Sequence, residues 1–126
     1  MSTLKVTNIQ ATGETASRAV SGVAAAWVNF NGTGTIAARD SENVSSLVDR
    51  ATGRYDFNLT NAMTSSSNYV VTGNAQNVPG TNFSWKLTPF DNTDFSASHF
   101  PVTTTDGSDT RGDAGYVLAQ VQGDLA

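Results

Sequence analysis

The segment AWVNFNGTGTIAARDS, residues 26–41, decides the fold that this sequence predicts. Val28 and Phe30 alternate with Trp27 and Asn29, which is the period of two expected of a strand with one buried face. The NGTG tetrapeptide that follows supplies residues that tolerate a positive φ, as tight hairpin turns require. A second strand then begins in the TIAAR pentapeptide. The segment therefore predicts a β-hairpin, whose apolar face needs further strands to cover it.

Strand signals recur along the rest of the chain at intervals of about 8–12 residues, the spacing typical of β-sandwiches and barrels. The clearest is the alternation of Tyr55, Phe57 and Leu59 with polar neighbours, which predicts one buried and one exposed face. Pro101 is expected to end the seventh strand, and residues 103–112 to form a polar loop. We therefore expect an all-β fold, an antiparallel β-sandwich or barrel-like domain. Strands are predicted at 24–30, 35–39, 44–49, 55–59, 69–72, 83–88, 95–99 and 116–121.

The composition fits one domain with a modest core. Of the 126 residues, 38% are hydrophobic and 14% are charged, against about 45–50% and about 25% in typical globular proteins. Eleven aromatic side chains supply much of the expected core. Because so little of the chain is apolar, we expect further copies of it to cover exposed surface, and we predict a homotrimer.

Residues 1–22 differ from the rest, since they contain no aromatic side chain. Leu4, Val6 and Ile9 form one short apolar stripe, and the small residues of 11–22 can bury very little. The sequence therefore predicts two parts. Residues 1–22 are an extended N-terminal arm for attachment, and residues 23–126 are the β-sandwich domain.

The region around Trp27–Met63 also carries a family resemblance. Its segments AWVNFNGTGTIAARDS, NVSSL and TGRYDFNLTNAM resemble a module of tailed-bacteriophage structural proteins, of the tail-fibre or virion surface type. The resemblance covers about a third of the chain. The start of the chain, with STLKV followed by IQ, is similar to the N-termini of phage fibre-like proteins.

The resemblance implies a virion structural protein on the exterior of the particle, assembled in the host cytoplasm. Such proteins dock on other virion proteins through their N-terminal region, here residues 1–22, commonly form trimers, and contact a host-cell surface glycan or protein. The alternative is a capsid decoration or head-fibre protein without a receptor role, which the short chain favours. Neither function requires a cofactor.

Charge and cysteine content exclude several other classes. The net charge is −4 and the seven Lys and Arg residues are scattered, so no cluster of cations is available for nucleic-acid phosphates. There is no cysteine, which excludes disulfides and thiolate metal sites. We expect neither a signal peptide nor membrane insertion, because no apolar run approaches the ~18 residues of a membrane span.

Enzymatic chemistry has little support. His99 is the single histidine, and no nucleophile elbow, phosphate loop or His pair accompanies it. A glycan-degrading enzyme needs two carboxylates about 5–9.5 Å apart. The acids in the Trp27–Met63 region are Asp40, Glu42, Asp49 and Asp56, and nothing in their spacing selects a pair. We therefore expect no enzyme activity and assign no catalytic or cofactor-binding residue.

The loop DGSDTRGD holds Asp106, Asp109 and Asp113 within eight residues. Oxygen-rich loops bind calcium, but this spacing does not match the EF-hand, and Arg111 would compete with the cation. We expect a solvated loop and no metal site. The Arg-Gly-Asp tripeptide within it matches an integrin-recognition motif, which three residues reproduce often by chance.

Exposed aromatic side chains would provide a different kind of site, because sugars stack on aromatic rings. Trp85, Tyr116 and Phe100 are the candidates for such a surface. Trp27 and Trp85 lie in alternating strands, so we expect both of them in the core.

Overall fold

The computed structural model describes residues 2–9, 12, 18–19, 23–77, 84–89 and 95–126. All regular structure in these ranges is β-strand. No described residue belongs to a helix long and apolar enough to cross a membrane. The strands are β1 (Asn8–Ile9), β2 (Arg18–Ala19), β3 (Ala24–Asn31), β4 (Ala37–Glu42), β5 (Val44–Ala51), β6 (Arg54–Leu59), β7 (Tyr69–Gln76), β8 (Ser84–Pro89), β9 (His99–Thr105) and β10 (Tyr116–Gly123).

Eight of these strands form two antiparallel sheets of four. Sheet I has the order β4-β3-β10-β7, and sheet II has the order β8-β9-β6-β5. Every neighbouring pair in both sheets is antiparallel. The predicted all-β class is confirmed, and the arrangement is sandwich-like. The homotrimer stays a prediction.

Strand β8 joins the two sheets on one side of the molecule. Its first two residues pair with Gln76 and Ala75 of β7 in sheet I. From Lys86 onward it pairs with β9 in sheet II. On the other side the chain passes directly from β4 to β5 through Asn43, whose φ is 57°. The two sheets are therefore connected along both edges, once by a strand and once by a corner.

Aromatic rings fill the space between the sheets. Phe30 of sheet I lies edge-on to Tyr55 and Phe57 of sheet II, with ring centroids 5.1 and 5.8 Å apart. Phe57 contacts Phe100 at 6.3 Å, and Phe100 contacts Tyr69 at 5.0 Å. Edge-to-face pairs of this kind contribute about 0.5–1.5 kcal/mol each beyond the burial of their area. The first strand of the predicted hairpin, now β3, thus places its inward ring, Phe30, at the centre of the core.

The predicted alternation of β6 is confirmed on its core side, where Tyr55, Phe57 and Leu59 are buried. On its other side the alternation predicts that Asp56, Asn58 and Thr60 face solvent or a partner, but Asp56 is only 5% exposed and does not face solvent. The reason is that β6 lies between β5 and β9, and Arg50 of β5 reaches over it. The Arg50 Nε donates to Asp56 Oδ2 at 2.6 Å.

The predicted end of the seventh strand is wrong. Strand β9 runs through Pro101 to Thr105 instead of stopping before the proline. Pro101 directly precedes Val102, and the pair of Val102 with Pro89 is the last described pair between β9 and β8. No described residue of β8 lies opposite Pro101, so its missing N–H is tolerated there. Thr103 and Thr105, expected in a polar loop, are buried because strands pair with β9 along both of its edges.

The N-terminal segment pairs with itself among the described strands, since β1 joins only β2. Leu4 is 85% exposed, and Val6 and Ile9 are exposed as well. The division into an arm, 1–22, and a domain, 23–126, stays a prediction. Residues 1, 10–11, 13–17 and 20–22 of that arm lie outside the described residues, and so does Phe83 of the predicted strand 83–88.

Candidate functional site

Three neighbouring strands of sheet I turn one continuous face to solvent. Strands β3, β10 and β7 alternate, so their apolar residues enter the core and the intervening residues point outward. Most of the outward side chains are polar but uncharged. We call this set the outer face of sheet I. It consists of Trp27, Asn29, Val70, Thr72, Asn74, Gln76, Tyr116, Leu118, Gln120 and Gln122.

The register aligns these side chains in rows across the three strands. Since neighbouring strands lie about 4.8 Å apart, one row spans about 10 Å. Two adjacent rows border a groove with a volume of about 460 Å³, within the range of about 300–1,000 Å³ usual for ligand sites. These rows are Trp27–Gln120–Thr72 and Asn29–Leu118–Asn74.

The backbone forms the floor of the groove. Gly73 contributes to that floor beside its register partner Ala119. A Cβ atom at residue 73 would lie 2.6 Å from Leu87 Cδ2 and closer still to the Leu118 carbonyl oxygen. Only glycine therefore lets β7 pass this close to β10 and Leu87.

None of the nine described residues that line the groove has an ionisable side chain. The two rows continue onto β4, where Glu42 lies opposite Trp27 and Asp40 lies opposite Asn29 on the same side of the sheet.

The groove does carry hydrogen-bonding groups. Asn74 Oδ1 accepts the Ala75 N–H at 2.9 Å. Within the described ranges the side chains of Gln120 and Thr72 make no hydrogen bond, and both are exposed. Donors and acceptors thus surround the Trp27 indole, which is 36% exposed.

Arg39 occupies one end of the outer face. Its guanidinium carbon lies 4.2 Å from the centroid of the Tyr116 ring. The same group donates to the Gly115 carbonyl at 2.7 Å and to Asn29 Oδ1 at 3.3 Å. Arg39 is the residue where the β3–β4 register shifts, and this bulge aims its side chain across the sheet. The cation–π contact therefore covers one face of Tyr116 and orients Asn29.

The structure changes the set of aromatic candidates. Phe100 has no exposed surface and belongs to the core, so its prediction as a stacking residue is wrong. Tyr116 lies on the outer face, as a stacking residue must, but with Arg39 over its ring. The side chain of Trp85 lies outside the described part. Trp27, expected in the core, is instead the exposed ring at the groove.

The acidic loop does not gather its carboxylates. Asp106 Oδ1 accepts the backbone N–H groups of Ser108 and Thr110 at 2.8 and 2.9 Å. Asp109 accepts the Lys86 ammonium at 2.9 Å. These two acids therefore stabilise the loop and its contact with β8. The described residues contain no group of three or more side chains that could hold a metal ion.

Asp113, the last acid of the loop, is turned toward the domain. Its Oδ1 accepts the Gly53 N–H at 2.7 Å and the Tyr55 hydroxyl at 3.0 Å. The same hydroxyl lies 2.9 Å from the Gly32 carbonyl oxygen. Burial and the Asp113 carboxylate raise the pKa of Tyr55, which keeps it a neutral donor. The aspartate of the Arg-Gly-Asp tripeptide thus connects its own loop to the loops at Gly53 and, through the Tyr55 hydroxyl, at Gly32. It is not presented to solvent for recognition by a partner.

His99 lies on β9 opposite Asn58. It makes no hydrogen bond or ion pair to any of the residues that the structure describes. The four acids that glycan cleavage could use lie on both sheets. Asp40 and Glu42 are on β4 of sheet I, and Asp49 and Asp56 are on sheet II. Asp56 forms an ion pair with Arg50.

A second cavity of about 390 Å³ lies beside Tyr69, lined also by Ser66, Ser67 and Phe95. The Tyr69 hydroxyl donates to the Ser96 carbonyl at 3.3 Å. Burial raises the pKa of Tyr69 to about 12. The hydroxyl therefore remains protonated at neutral pH and serves as a structural donor.

No protein-family model, no curated protein and no solved structure matches this chain.

Proposed function

We propose that this chain is a fibre-like structural protein of a tailed-bacteriophage particle. It docks on other virion proteins through residues 1–22 and presents the outer face of sheet I to the host-cell surface. The sequence resemblance in the Trp27–Met63 region motivates the proposal, and the distribution of exposed apolar side chains supports it.

Large apolar side chains are exposed mainly in two places. Among the described residues, Leu4, Val6 and Ile9 are exposed in the N-terminal segment. Trp27 and Leu118 are exposed on adjacent rows of the outer face of sheet I, and Val70 lies two rows away from Leu118 on the same face. Val23, Val48 and Leu125 lie elsewhere. Clustered exposed apolar groups are typical of interaction sites. Two separate sites fit a protein that attaches at one end and binds at another surface.

The second candidate is a capsid decoration or head-fibre protein. It would attach through the same N-terminal segment, whose apolar side chains Leu4, Val6 and Ile9 are exposed. Such a protein needs no receptor, so the outer face of sheet I would have no partner outside the particle. The two functions therefore differ in where the protein sits and in whether it touches the host.

Labelling of intact particles tests the proposal. An antibody raised against residues 23–126 is imaged on purified phage particles by electron microscopy. Label on the tail is the expected result, label on the capsid supports the decoration or head-fibre function, and unlabelled particles contradict both.

A variant without residues 2–22 tests the docking role. It should remain soluble and β-rich by circular dichroism but should be absent from the particles. Val48→Ala, an exposed change on sheet II, is the matched control and should be incorporated normally. If the shortened chain unfolds, the segment is part of the core and the assignment of an arm is wrong.

A further inference from the structure

We infer that the groove between Trp27 and Leu118 on the outer face of sheet I binds an uncharged oligosaccharide. This inference rests on the proposed function, since it names the class of host-surface molecule that the face would contact. It is argued from the charge, the hydrogen-bonding groups and the apolar area of the groove.

Charge argues against an anionic ligand. The described lining contains no ionisable side chain, and the residues that extend its two rows on β4 are the acids Glu42 and Asp40. Arg39, which contacts Asn29 at the edge of the groove, is committed to Tyr116, Gly115 and Asn29. A sulfated or uronic-acid sugar would lose hydration on entering the groove and gain no ion pair in return. Nucleic acids and anionic lipids meet the same obstacle. The described lining has no charged side chain to pair with an ion of either sign, so we take the ligand to be neutral.

The polar groups match hydroxyl-rich molecules. A carboxamide offers two donors and an acceptor in one plane, so it can accept from one sugar hydroxyl and donate to the next. Exposed groups of this kind stand on neighbouring strands at the groove, with the Thr72 hydroxyl in the same row as Gln120. The carboxamides of the outer face are Asn29, Asn74, Gln76, Gln120 and Gln122.

The apolar part of the groove suits a sugar ring better than a protein. Trp27 and Leu118 lie on adjacent rows and form one small apolar patch, whereas Val70 lies opposite Gln122, two rows from Leu118. A stable protein interface buries at least about 1,000 Å² with an apolar centre, and amides interrupt this face too closely for that. An indole with a small aliphatic neighbour is enough for the C–H face of one pyranose ring.

Titration of the full chain with defined oligosaccharides tests the inference. The probes are neutral tetrasaccharides derived from dextran, cellulose and chitin, and an anionic tetrasaccharide derived from alginate. Binding is followed by tryptophan fluorescence and calorimetry. We expect saturable binding of at least one neutral probe and none of the anionic one. Trp27→Ala should reduce affinity at least about tenfold, and Gln120→Ala about 2–10-fold for a lost neutral hydrogen bond. Val48→Ala, on the other sheet, should change nothing.

Four results overturn the inference. These are no saturable binding of any neutral probe at millimolar concentration, preference for the anionic probe, unchanged binding in Trp27→Ala with an unchanged melting temperature, and conversion of an oligomer to monomers by Trp27→Ala. The last result would make the groove an interface between copies of the chain. Particle labelling is independent of all four, so sugar binding can fail while the virion assignment stands, and the reverse.

Discussion

The side chain of Asn43 accepts the backbone N–H of Asn61 at 2.8 Å and so closes the corner where the chain passes from sheet I to sheet II. Its Nδ2 donates to the Ala25 carbonyl at 3.0 Å and to the Asn61 carbonyl at 3.1 Å. The backbone of Asn43 has a φ of 57°, a conformation that asparagine tolerates better than most residues. One side chain therefore ties β3, the crossing turn and the segment after β6 together.

Replacement of Asn43 should separate its two contributions. Asn43→Ala loses the hydrogen bonds and adds strain at a positive φ, and should lower the free energy of unfolding by about 2–4 kcal/mol. Asn43→Gly loses the same bonds without the strain, and should be about 1–2 kcal/mol less destabilising than Asn43→Ala. Urea denaturation measures both. Equal losses in the two variants would show that backbone strain is unimportant at this corner.

The alternation of β6 gives a second pair of variants. Phe57 is 1% exposed and contacts two other rings, so Phe57→Ala should cost about 3–5 kcal/mol. Asn58 is half-buried and donates to the Ser46 hydroxyl at 2.9 Å, so Asn58→Ala should cost about 1 kcal/mol or less. Chemical denaturation of both variants decides the matter. Small and equal losses would mean that the Phe57 side of the strand is not core.

The core side of the fold follows directly from local pattern. Apolar residues at every second position of β3, β6 and β10 identify the inward side chains without any knowledge of pairing. Local pattern does not predict strand β9 correctly, because Pro101 suggests the end of a strand and Thr103 and Thr105 suggest a loop. Their burial depends on β6 and β8, whose pairing with β9 joins residues far apart in the chain.

Half of the candidate site could be predicted from the sequence. Because Val28 and Phe30 point inward, alternation places Trp27 and Asn29 on the opposite face, and the expectation of a buried Trp27 gave hydrophobicity more weight than register. The rest of the groove could not be predicted from the sequence. Gln120 and Thr72 join Trp27 only through the order β3-β10-β7, which no local signal specifies.

The oligomeric state gives a third prediction. Exposed apolar side chains in the N-terminal segment, Leu4, Val6 and Ile9, leave surface that a single copy does not cover. We expect the full chain to sediment as a homotrimer at micromolar concentration. Sedimentation equilibrium or native mass spectrometry gives the answer, and a stable monomer under those conditions would contradict it.

Stability should fall at alkaline pH in a way that depends on Tyr69. Burial raises its pKa in the folded protein to about 12, above the value of about 10 expected of the unfolded chain. The folded state therefore holds the proton more tightly. Its stabilising effect is complete below about pH 10 and is lost as pH rises toward about 12. Tyr69→Phe should show a smaller loss of unfolding free energy than the parent between about pH 10 and about pH 12. Parallel curves for the two proteins would exclude this role for Tyr69.

Two ion pairs of different burial should differ in strength. The Asp56 side chain is 7% exposed beneath Arg50, whereas Lys86 and Asp109 are 53% and 77% exposed. Arg50→Ala leaves a buried carboxylate without its partner, and because the guanidinium itself is half exposed we expect a loss of about 1–3 kcal/mol. Lys86→Ala should cost about 0–1 kcal/mol, and less at high salt. Adding Asp56→Asn to Arg50→Ala should recover part of the loss, since it removes the uncompensated charge. A double-mutant cycle by urea denaturation measures this coupling, and strictly additive effects would mean that the Arg50–Asp56 contact contributes nothing to stability.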